Sequence, residues 1–227
     1  MLAAGLTGGI GAGKSSVTRL LSERTAVIID ADRIAHEVSA PGGPAFAAVV
    51  ERFGHGVLDA GGELDRRALA EIVFGDPRAL ADLNALTHPV IGAVMAERLG
   101  ALAGGDAIVV VDVPLLTSAH RDALGLRAIV VVDCPVDVAV ERLVRERGMD
   151  ERDARARVAA QPAREERLSL ADYVVDNSSG PEHLVGEVER LWEWLQALRR
   201  APGAPGAPRA AGRPGPPGAA GRPGPRS

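Results

Sequence analysis

A glycine-rich turn near the start of the chain constrains the fold more than any other feature. The turn reads GGIGAGKS (residues 8–15) and follows a short apolar run at Leu2–Leu6. The residues after it carry an apolar stripe with helical spacing, made by Val17, Leu20 and Leu21. A strand, a glycine-rich turn and a helix in that order, with the pattern G-x-x-x-x-G-K-[ST], are typical of a P-loop that binds the phosphates of a nucleoside triphosphate.

Each part of this turn has its own role in phosphate binding. Glycines let the backbone turn tightly, and the start of the helix adds unpaired N–H groups and the positive end of the helix dipole. Lys14 is the single lysine among 26 basic residues, and its compact ammonium can follow a moving phosphoryl group where the planar fork of arginine cannot. We therefore predict an ATP site formed by Gly11, Ala12, Gly13, Lys14, Ser15 and Ser16, with the Ser15 hydroxyl as a Mg²⁺ ligand.

Apolar runs alternate with helix-period segments along the chain, which is typical of an α/β fold. Two runs, AIVVVDVP and AIVVVDCP, are continuous rather than alternating, as in strands that are buried on both faces. We expect a P-loop NTPase fold with a parallel sheet of about five strands flanked by helices. The predicted strands are Leu2–Leu6, Ala26–Ile29, Ile108–Val111, Ile129–Val132 and Tyr173–Val175, and the predicted helices are Lys14–Leu21, Pro89–Leu102, Val136–Arg147 and Pro181–Leu198.

The segments between the strands predict one P-loop domain over residues 1–200, with two insertions. A helical insertion at about 32–104 lacks a convincing strand, and insertions at the carboxyl ends of strands are where substrate sites are built. A second insertion at about 142–167 is dense in arginine and acidic residues and predicts a small helical lid. Residues 201–227 are a Pro/Gly/Arg-rich tail that we expect to be disordered. The expected core is the remainder, about 1–31, 105–141 and 168–200.

Composition limits the expected partners and compartment. The net charge is −4 although the tail carries arginines and no acidic residue, so the rest of the chain is more acidic still and does not favour nucleic-acid binding. The single cysteine, Cys134, rules out an internal disulfide and suits a reducing compartment. No apolar run approaches the roughly 20 residues of a membrane helix. We expect a cytoplasmic protein without membrane or nucleic-acid partners, monomeric or weakly homo-oligomeric.

Three kinds of P-loop protein compete at this point. A switch GTPase needs a guanine-reading N-K-x-D, which this chain lacks because its single lysine, Lys14, lies in the glycine-rich turn. A motor or assembly ATPase is usually larger and has partner surfaces that this sequence does not show. A small-molecule kinase needs an acceptor pocket, a base for the acceptor hydroxyl and cations near the γ-phosphate. The kinase interpretation fits best, and a nucleotide-dependent regulatory module is the alternative from another class.

Carboxylates follow two of the predicted strands. Asp30 and Asp32 lie at the end of the second strand, where one can accept a proton from an attacking hydroxyl or hold Mg²⁺ through water, and the other can cap the following helix. Asp112 follows a buried strand as a Walker B acid does. We assign it only a possible indirect contact with Mg²⁺.

Seven segments in order resemble the dephospho-CoA kinase family of P-loop kinases, and together they cover about residues 3–198. They are GLTGGIGAGKSSV, DADRIAHEV, GELDRRALAEIVF, LNALTHPVI, VVVDVPLL, VVVDCPVDVAVERLVRERGM and ADYVVDNSS. The resemblance implies Mg²⁺-dependent transfer of phosphate from ATP to the ribose 3′-hydroxyl of dephospho-CoA, the last step of coenzyme A synthesis. Another small-molecule kinase, of the nucleoside, nucleotide or shikimate type, is the alternative.

The resemblance also implies roles for single residues. Asp32 is the expected general base, Lys14 binds the ATP phosphates, and Arg142 reaches them from the start of the lid, with Arg147 as a second candidate. The expected acceptor contacts are Thr7, Asp32, His88 and Leu115, although His88 with Pro89 can equally begin the helix that follows. Two dipeptides depart from the family pattern, Thr117-Ser118 and Pro162-Ala163.

Overall fold

The computed structural model describes residues 1–201, so the predicted disordered tail, apart from its first residue, lies outside the described residues. Five parallel strands form one sheet in the order β2-β3-β1-β4-β5. This confirms the predicted α/β class and the parallel sheet. The strands are β1 (Leu2–Gly8), β2 (Val27–Asp30), β3 (Ile108–Asp112), β4 (Ala128–Asp133) and β5 (Tyr173–Asp176).

Helices cover both faces of the sheet and fill the long connections. The predicted helix starts at Lys14, Val136 and Pro181 are confirmed. The helices are α1 (Lys14–Ser22), α2 (Ala31–Val38), α3 (Phe46–Phe53), α4 (Arg66–Gly75), α5 (Pro77–Leu102), α6 (Ser118–Leu124), α7 (Val136–Arg147), α8 (Glu151–Ala159), α9 (Arg164–Ser169) and α10 (Pro181–Arg200).

The central strands are buried on both faces. Successive side chains of a strand point to opposite faces, so each strand contributes to two layers of the core. On one face Leu6 and Val110 pack with α1 and α10, and on the other Val111 and Val131 pack with α2 and α5. This double burial explains why β3 and β4 are continuous apolar runs.

The segment between β2 and β3 is helical and has a small core of its own. Its β-pairing among the described residues is limited to an isolated antiparallel bridge between Leu58 and Leu64. Apolar side chains of α3, α4 and α5, with one from a short 3-10 turn, form a separate cluster away from the sheet. The buried members of that cluster are Val49, Val57, Leu69, Val73 and Ala79.

The start of α5 corrects a prediction. We expected a helix to begin at Pro89, but α5 begins at Pro77 and Pro89 lies inside it. The Asp76 carboxylate caps the true start by accepting from the Arg78 N–H, and Pro77 occupies the first helical position, where its missing N–H has no intrahelical partner to lose. His88-Pro89 is therefore not a helix start.

By length and composition α5 also passes the test for a helix that could cross a membrane, with a mean hydropathy of 1.2 in its most apolar window. We expected no such segment. One helix of this kind is weak evidence for a membrane, because core helices have the same properties. Only 11% of that window is buried, although Met95 and Leu99 pack against the sheet and Asp82 of the same helix pairs with Arg52.

Both ends of the described chain lie at the amino edge of the sheet. The amino group of Met1 donates to the carbonyl of Gly105, which precedes β3. At the other end, Arg199 donates to the carbonyl of Asp106, and the carbonyl of Ala201 accepts from Arg127, which precedes β4. The P-loop lies at the opposite, carboxyl edge, where β1 ends.

Candidate active site

The P-loop is held in a shape that only glycine fits. Gly11 and Gly13 have φ values of +77° and +92°, a left-handed region that strains other residues. A Cβ on Gly11 would also lie 2.6 Å from the carbonyl oxygen of Ala139. In the described part of the chain the N–H groups of Gly11, Gly13, Lys14 and Ser15 have no protein acceptor. These four donors at the start of α1 suit the oxygens of a phosphate.

Lys14 lies beside a buried carboxylate at the end of the neighbouring strand. Its Nζ is 2.5 Å from Asp112 Oδ1, and the Thr18 hydroxyl donates to Asp112 Oδ2 over 3.2 Å. Burial raises the pKa of the Asp112 carboxyl, whereas the hydrogen bond and the charge of Lys14 act in the opposite direction. Asp112 therefore holds Lys14 directly, a contact that the sequence interpretation did not include.

The oxygen donors at this edge fit Mg²⁺, which prefers hard oxygen ligands and usually keeps several waters. The Ser15 hydroxyl is exposed in the first turn of α1, and the Asp112 carboxylate lies in the same part of the site. Among the described residues no group of three or more His, Cys, Asp or Glu side chains could form a metal site. A metal at this position would therefore complete its shell with phosphate oxygens and water.

Arg142 of α7 lies next to the P-loop. Its Nη2 donates to Asn177 Oδ1 over 3.4 Å and to the carbonyl of Ser179 over 3.2 Å. Its Nη1 is 3.9 Å from the position that a Cβ on Gly13 would occupy, and this buried atom has no hydrogen-bond partner among the described residues. A buried guanidinium N–H without an acceptor at the mouth of the phosphate cradle is suited to a phosphoryl oxygen.

Asp30 has one of the two roles that the sequence left open, and Asp32 remains the predicted base. The Asp30 side chain accepts from the N–H of Arg33 and caps α2. Asp32 lies exposed in the first turn of the same helix. Since β3 lies between β2 and β1 and Asp30 pairs in register with Asp112, Asp32 is at the same sheet edge as the P-loop, two strand spacings away, or roughly 10 Å.

The loop after β3 lies beside the P-loop at this edge. Thr7 is buried, and its hydroxyl donates to the carbonyl of Pro114 over 3.0 Å, which ties the end of β1 to this loop. The hydroxyl of Thr7, a predicted acceptor contact, therefore already makes a hydrogen bond within the protein. Leu115 follows in the same loop and is 55% exposed. An apolar side chain that projects from the carboxyl edge of the sheet is free to contact a ligand.

His88 lies on the exposed side of α5 and faces α6. Burial lowers the pKa of His120, and the nearby charge of His88 lowers it further. The departure at Thr117 has a local explanation, because Thr117 and His120 form a reciprocal capping box at the start of α6. The structure therefore brings His88 to the end of the loop that carries Leu115.

The segment predicted to be a lid, 142–167, contacts the P-loop and the end of β4 through residues that the sequence interpretation missed. Gln161 Oε1 accepts from the Ile10 N–H over 2.8 Å, and Arg164 pairs with Asp133 at the end of β4. The hydrogen bonds to Asp133 raise the pKa of Arg164. Arg147, our second arginine candidate, instead lies exposed in the last turn of α7, roughly 140° around the helix from Arg142.

We expect Gln161→Ala to raise the KM for ATP by about three- to tenfold, because one hydrogen bond between lid and P-loop is lost. ATP hydrolysis without acceptor should increase, since a looser lid admits water. Gln196→Ala is the matched control, because Gln196 lies on α10, outside the lid. Steady-state assays with and without acceptor measure both quantities. Equal behaviour of the two variants would show that the Gln161 contact does not control lid closure.

Comparison with known proteins agrees with this geometry. The family model for dephospho-CoA kinase matches residues 2–182. Dephospho-CoA kinase of Streptomyces avermitilis is 54% identical over 203 residues, covering 89% of this chain and 98% of that protein. The Thermobifida fusca enzyme of the same name is 50% identical over 196 residues, covering 86% and 97%.

Two solved structures share the fold. TT1252 from Thermus thermophilus superimposes with a TM-score of 0.70 at 29% identity, covering 87% of this chain and 97% of that one. Dephospho-CoA kinase from Campylobacter jejuni gives a TM-score of 0.67 at 24% identity, covering 86% and 98%, and supports the fold alone. The match over most of the chain, together with the P-loop and its partners at one sheet edge, leads to one conclusion: the chain belongs to the dephospho-CoA kinase family.

Proposed function

We propose that the protein transfers the γ-phosphoryl group of ATP to the ribose 3′-hydroxyl of dephospho-CoA, giving coenzyme A and ADP. The observation that carries this proposal is the order β2-β3-β1 at the carboxyl edge of the sheet. In this order Asp32 follows β2 and the P-loop follows β1, with the loop of Leu115 between them, which supports a role for Asp32 toward the acceptor. An acceptor in that gap would lie between its base and the γ-phosphate.

The proposed reaction has one displacement step. Asp32 accepts the proton of the 3′-hydroxyl while that oxygen bonds to the γ-phosphorus. The bond from the γ-phosphorus to the bridging oxygen breaks, and ADP leaves with the electron pair. Lys14 and Arg142 stabilise the charge that develops on the phosphoryl oxygens. Mg²⁺, held by Ser15 and the phosphates when bound, would neutralise further charge.

The segments around this edge suit the two remaining tasks of a kinase. We propose that the helical insertion, 32–104, binds the acceptor, since α2 carries Asp32 and α5 carries His88. The lid, 142–167, would exclude water once ATP is bound, and its existing contacts with Ile10 and Asp133 support that role. The unpaired, buried Cys134 supports a reducing, cytoplasmic location. We propose that the protein binds ATP and dephospho-CoA as a monomer or weak homo-oligomer, without a membrane or nucleic-acid partner.

An acceptor panel tests the proposal. ADP release is measured by a coupled assay with Mg²⁺-ATP and, in turn, dephospho-CoA, AMP, CMP and shikimate. We expect turnover with dephospho-CoA at least about 100-fold above the others, because binding energy from the pantetheine arm is available only to this acceptor. Preference for AMP, CMP or shikimate would instead support another small-molecule kinase. ATP binding without turnover on any acceptor would support a regulatory module.

A further inference from the structure

Asn177 is one of the few buried polar side chains in the described part of the chain, and the roles discussed so far do not use it. It directly follows β5 and is 5% exposed. Its backbone N–H donates to the carbonyl of Asp133 over 2.8 Å, which extends the pairing of β5 with β4 by one residue. The backbone of Asn177 is therefore fixed by the sheet, and its side chain projects from a rigid position.

The side chain of Asn177 bridges two parts of the phosphate site. Its Nδ2 donates to the carbonyl of Ala12 over 2.8 Å, and its Oδ1 accepts from Arg142 Nη2 over 3.4 Å. The orientation of the amide follows from its partners, since a carbonyl only accepts and a guanidinium only donates. Among the ordinary side chains of this size, asparagine supplies one donor and one acceptor at these two points.

The bond to Ala12 controls the direction of a phosphate-binding donor. The carbonyl of Ala12 and the N–H of Gly13 belong to the same planar peptide unit and point in opposite directions. Holding the carbonyl toward Asn177 therefore turns the Gly13 N–H toward the cradle. The contact is close, because a Cβ on Gly13 would lie 2.2 Å from Asn177 Nδ2.

The bond to Arg142 controls the second phosphate-binding group. Asn177 and the carbonyl of Ser179 both engage Nη2 of Arg142, so the other terminal nitrogen, Nη1, is left without a protein partner and lies near Gly13. Because one amide holds both the peptide of the P-loop and the guanidinium, their relative position is fixed through a single side chain.

We propose that Asn177 is a positioning residue that couples the Gly13 N–H to the Arg142 guanidinium, so that both meet the same triphosphate. The inference rests on the proposed function for its kinetic consequences. The claim that Asn177 supports ATP binding can be tested without an acceptor.

The test compares three variants, Asn177→Ala, Asn177→Asp and Arg142→Ala, with the double variant that combines the two alanine changes. Asn177→Ala is expected to weaken ATP binding about tenfold and to lower kcat by about 10- to 100-fold, since both bonds are lost. Asn177→Asp keeps an acceptor for Arg142 but places an oxygen against the Ala12 carbonyl. It should recover much of kcat while ATP binding stays weak.

The double variant separates positioning from a general structural role. If Asn177 acts through Arg142, the kcat loss in the double variant will be well below the product of the two single losses. A product of independent losses would overturn the coupling. Unchanged ATP affinity in both Asn177 variants, measured by calorimetry with Mg²⁺-ATP alone, would overturn the link to the P-loop.

Val175→Ala is the matched control, because Val175 is fully buried in β5, two residues before Asn177. It should lower the melting temperature and leave kcat and ATP affinity within about twofold of the wild type. If Asn177→Ala does not fold, the near-isosteric aspartate variant still tests the link to the P-loop through ATP affinity. Should the wild type bind ATP but not use dephospho-CoA, the proposed function fails while the calorimetric test of Asn177 stands.

Discussion

Lys14→Ala is expected to lower kcat by about 100- to 1,000-fold, and Lys14→Arg by a comparable factor. The alanine variant loses the ammonium that stabilises the phosphoryl oxygens. The arginine variant keeps the charge, but its planar fork must fit a space in which Nζ is 2.5 Å from Asp112. Steady-state ADP release measures both variants. Arg19→Ala is the matched control, because it also removes a cation from α1, but from its exposed side. Its kcat should stay within about twofold of wild type.

Recovery of activity by Lys14→Arg would contradict this explanation for the single lysine.

The Lys14→Ala variant should also differ from the wild type in how its stability depends on pH. Burial raises the pKa of Asp112, so the native state holds that proton more tightly than the unfolded chain does. The resulting stability is fully present below the ordinary pKa of aspartate and is lost as pH rises through the raised pKa. Without Lys14 to oppose the rise, the melting temperature of Lys14→Ala should fall more than that of the wild type as pH rises above the ordinary pKa of aspartate.

Asp32→Asn should lower kcat by about 100- to 10,000-fold and leave ATP affinity nearly intact. The carboxylate that accepts the proton is lost, whereas the P-loop lies two strands away and keeps its contacts. Steady-state kinetics give kcat, and calorimetry with Mg²⁺-ATP gives the affinity. Weakened ATP binding in Asp32→Asn would instead indicate a role in holding nucleotide or metal.

Asp30→Asn is the matched control for Asp32. Both changes remove one carboxylate charge from the same turn of the chain, and asparagine still caps a helix well. We expect Asp30→Asn to keep kcat within about threefold of wild type, because its side chain serves α2 and not the acceptor. Equal losses in the two variants would contradict the assignment of the base to Asp32 alone.

Local signals in the sequence predicted the sheet and the P-loop. Continuous apolar runs identified β3 and β4, and the glycine pattern identified the cradle, because each feature depends on neighbouring residues only. The start of α5 was not predicted, because Pro89 also fits the first turn of a helix. The signal Asp76-Pro77, an N-cap followed by proline, was present in the sequence and marks the observed start.

Contacts that complete the site join residues far apart in the chain. The bond from Asn177 to Ala12 spans 165 positions, and the bond from Ile10 to Gln161 spans 151. No periodicity or spacing encodes such pairs, although a polar residue directly after a buried strand, as at Asn177 and Asp112, marks the carboxyl edge. The contact of Asp112 with Lys14 was not predicted for the same reason. Its pairing with Lys14 depends on β3 lying beside β1, and the strand order is a property of the fold.

Both ends of the described chain lie at the sheet edge opposite the P-loop. The length of the strands therefore separates Met1 and Ala201 from the P-loop. A probe attached at Met1 would therefore lie away from the edge that bears Lys14.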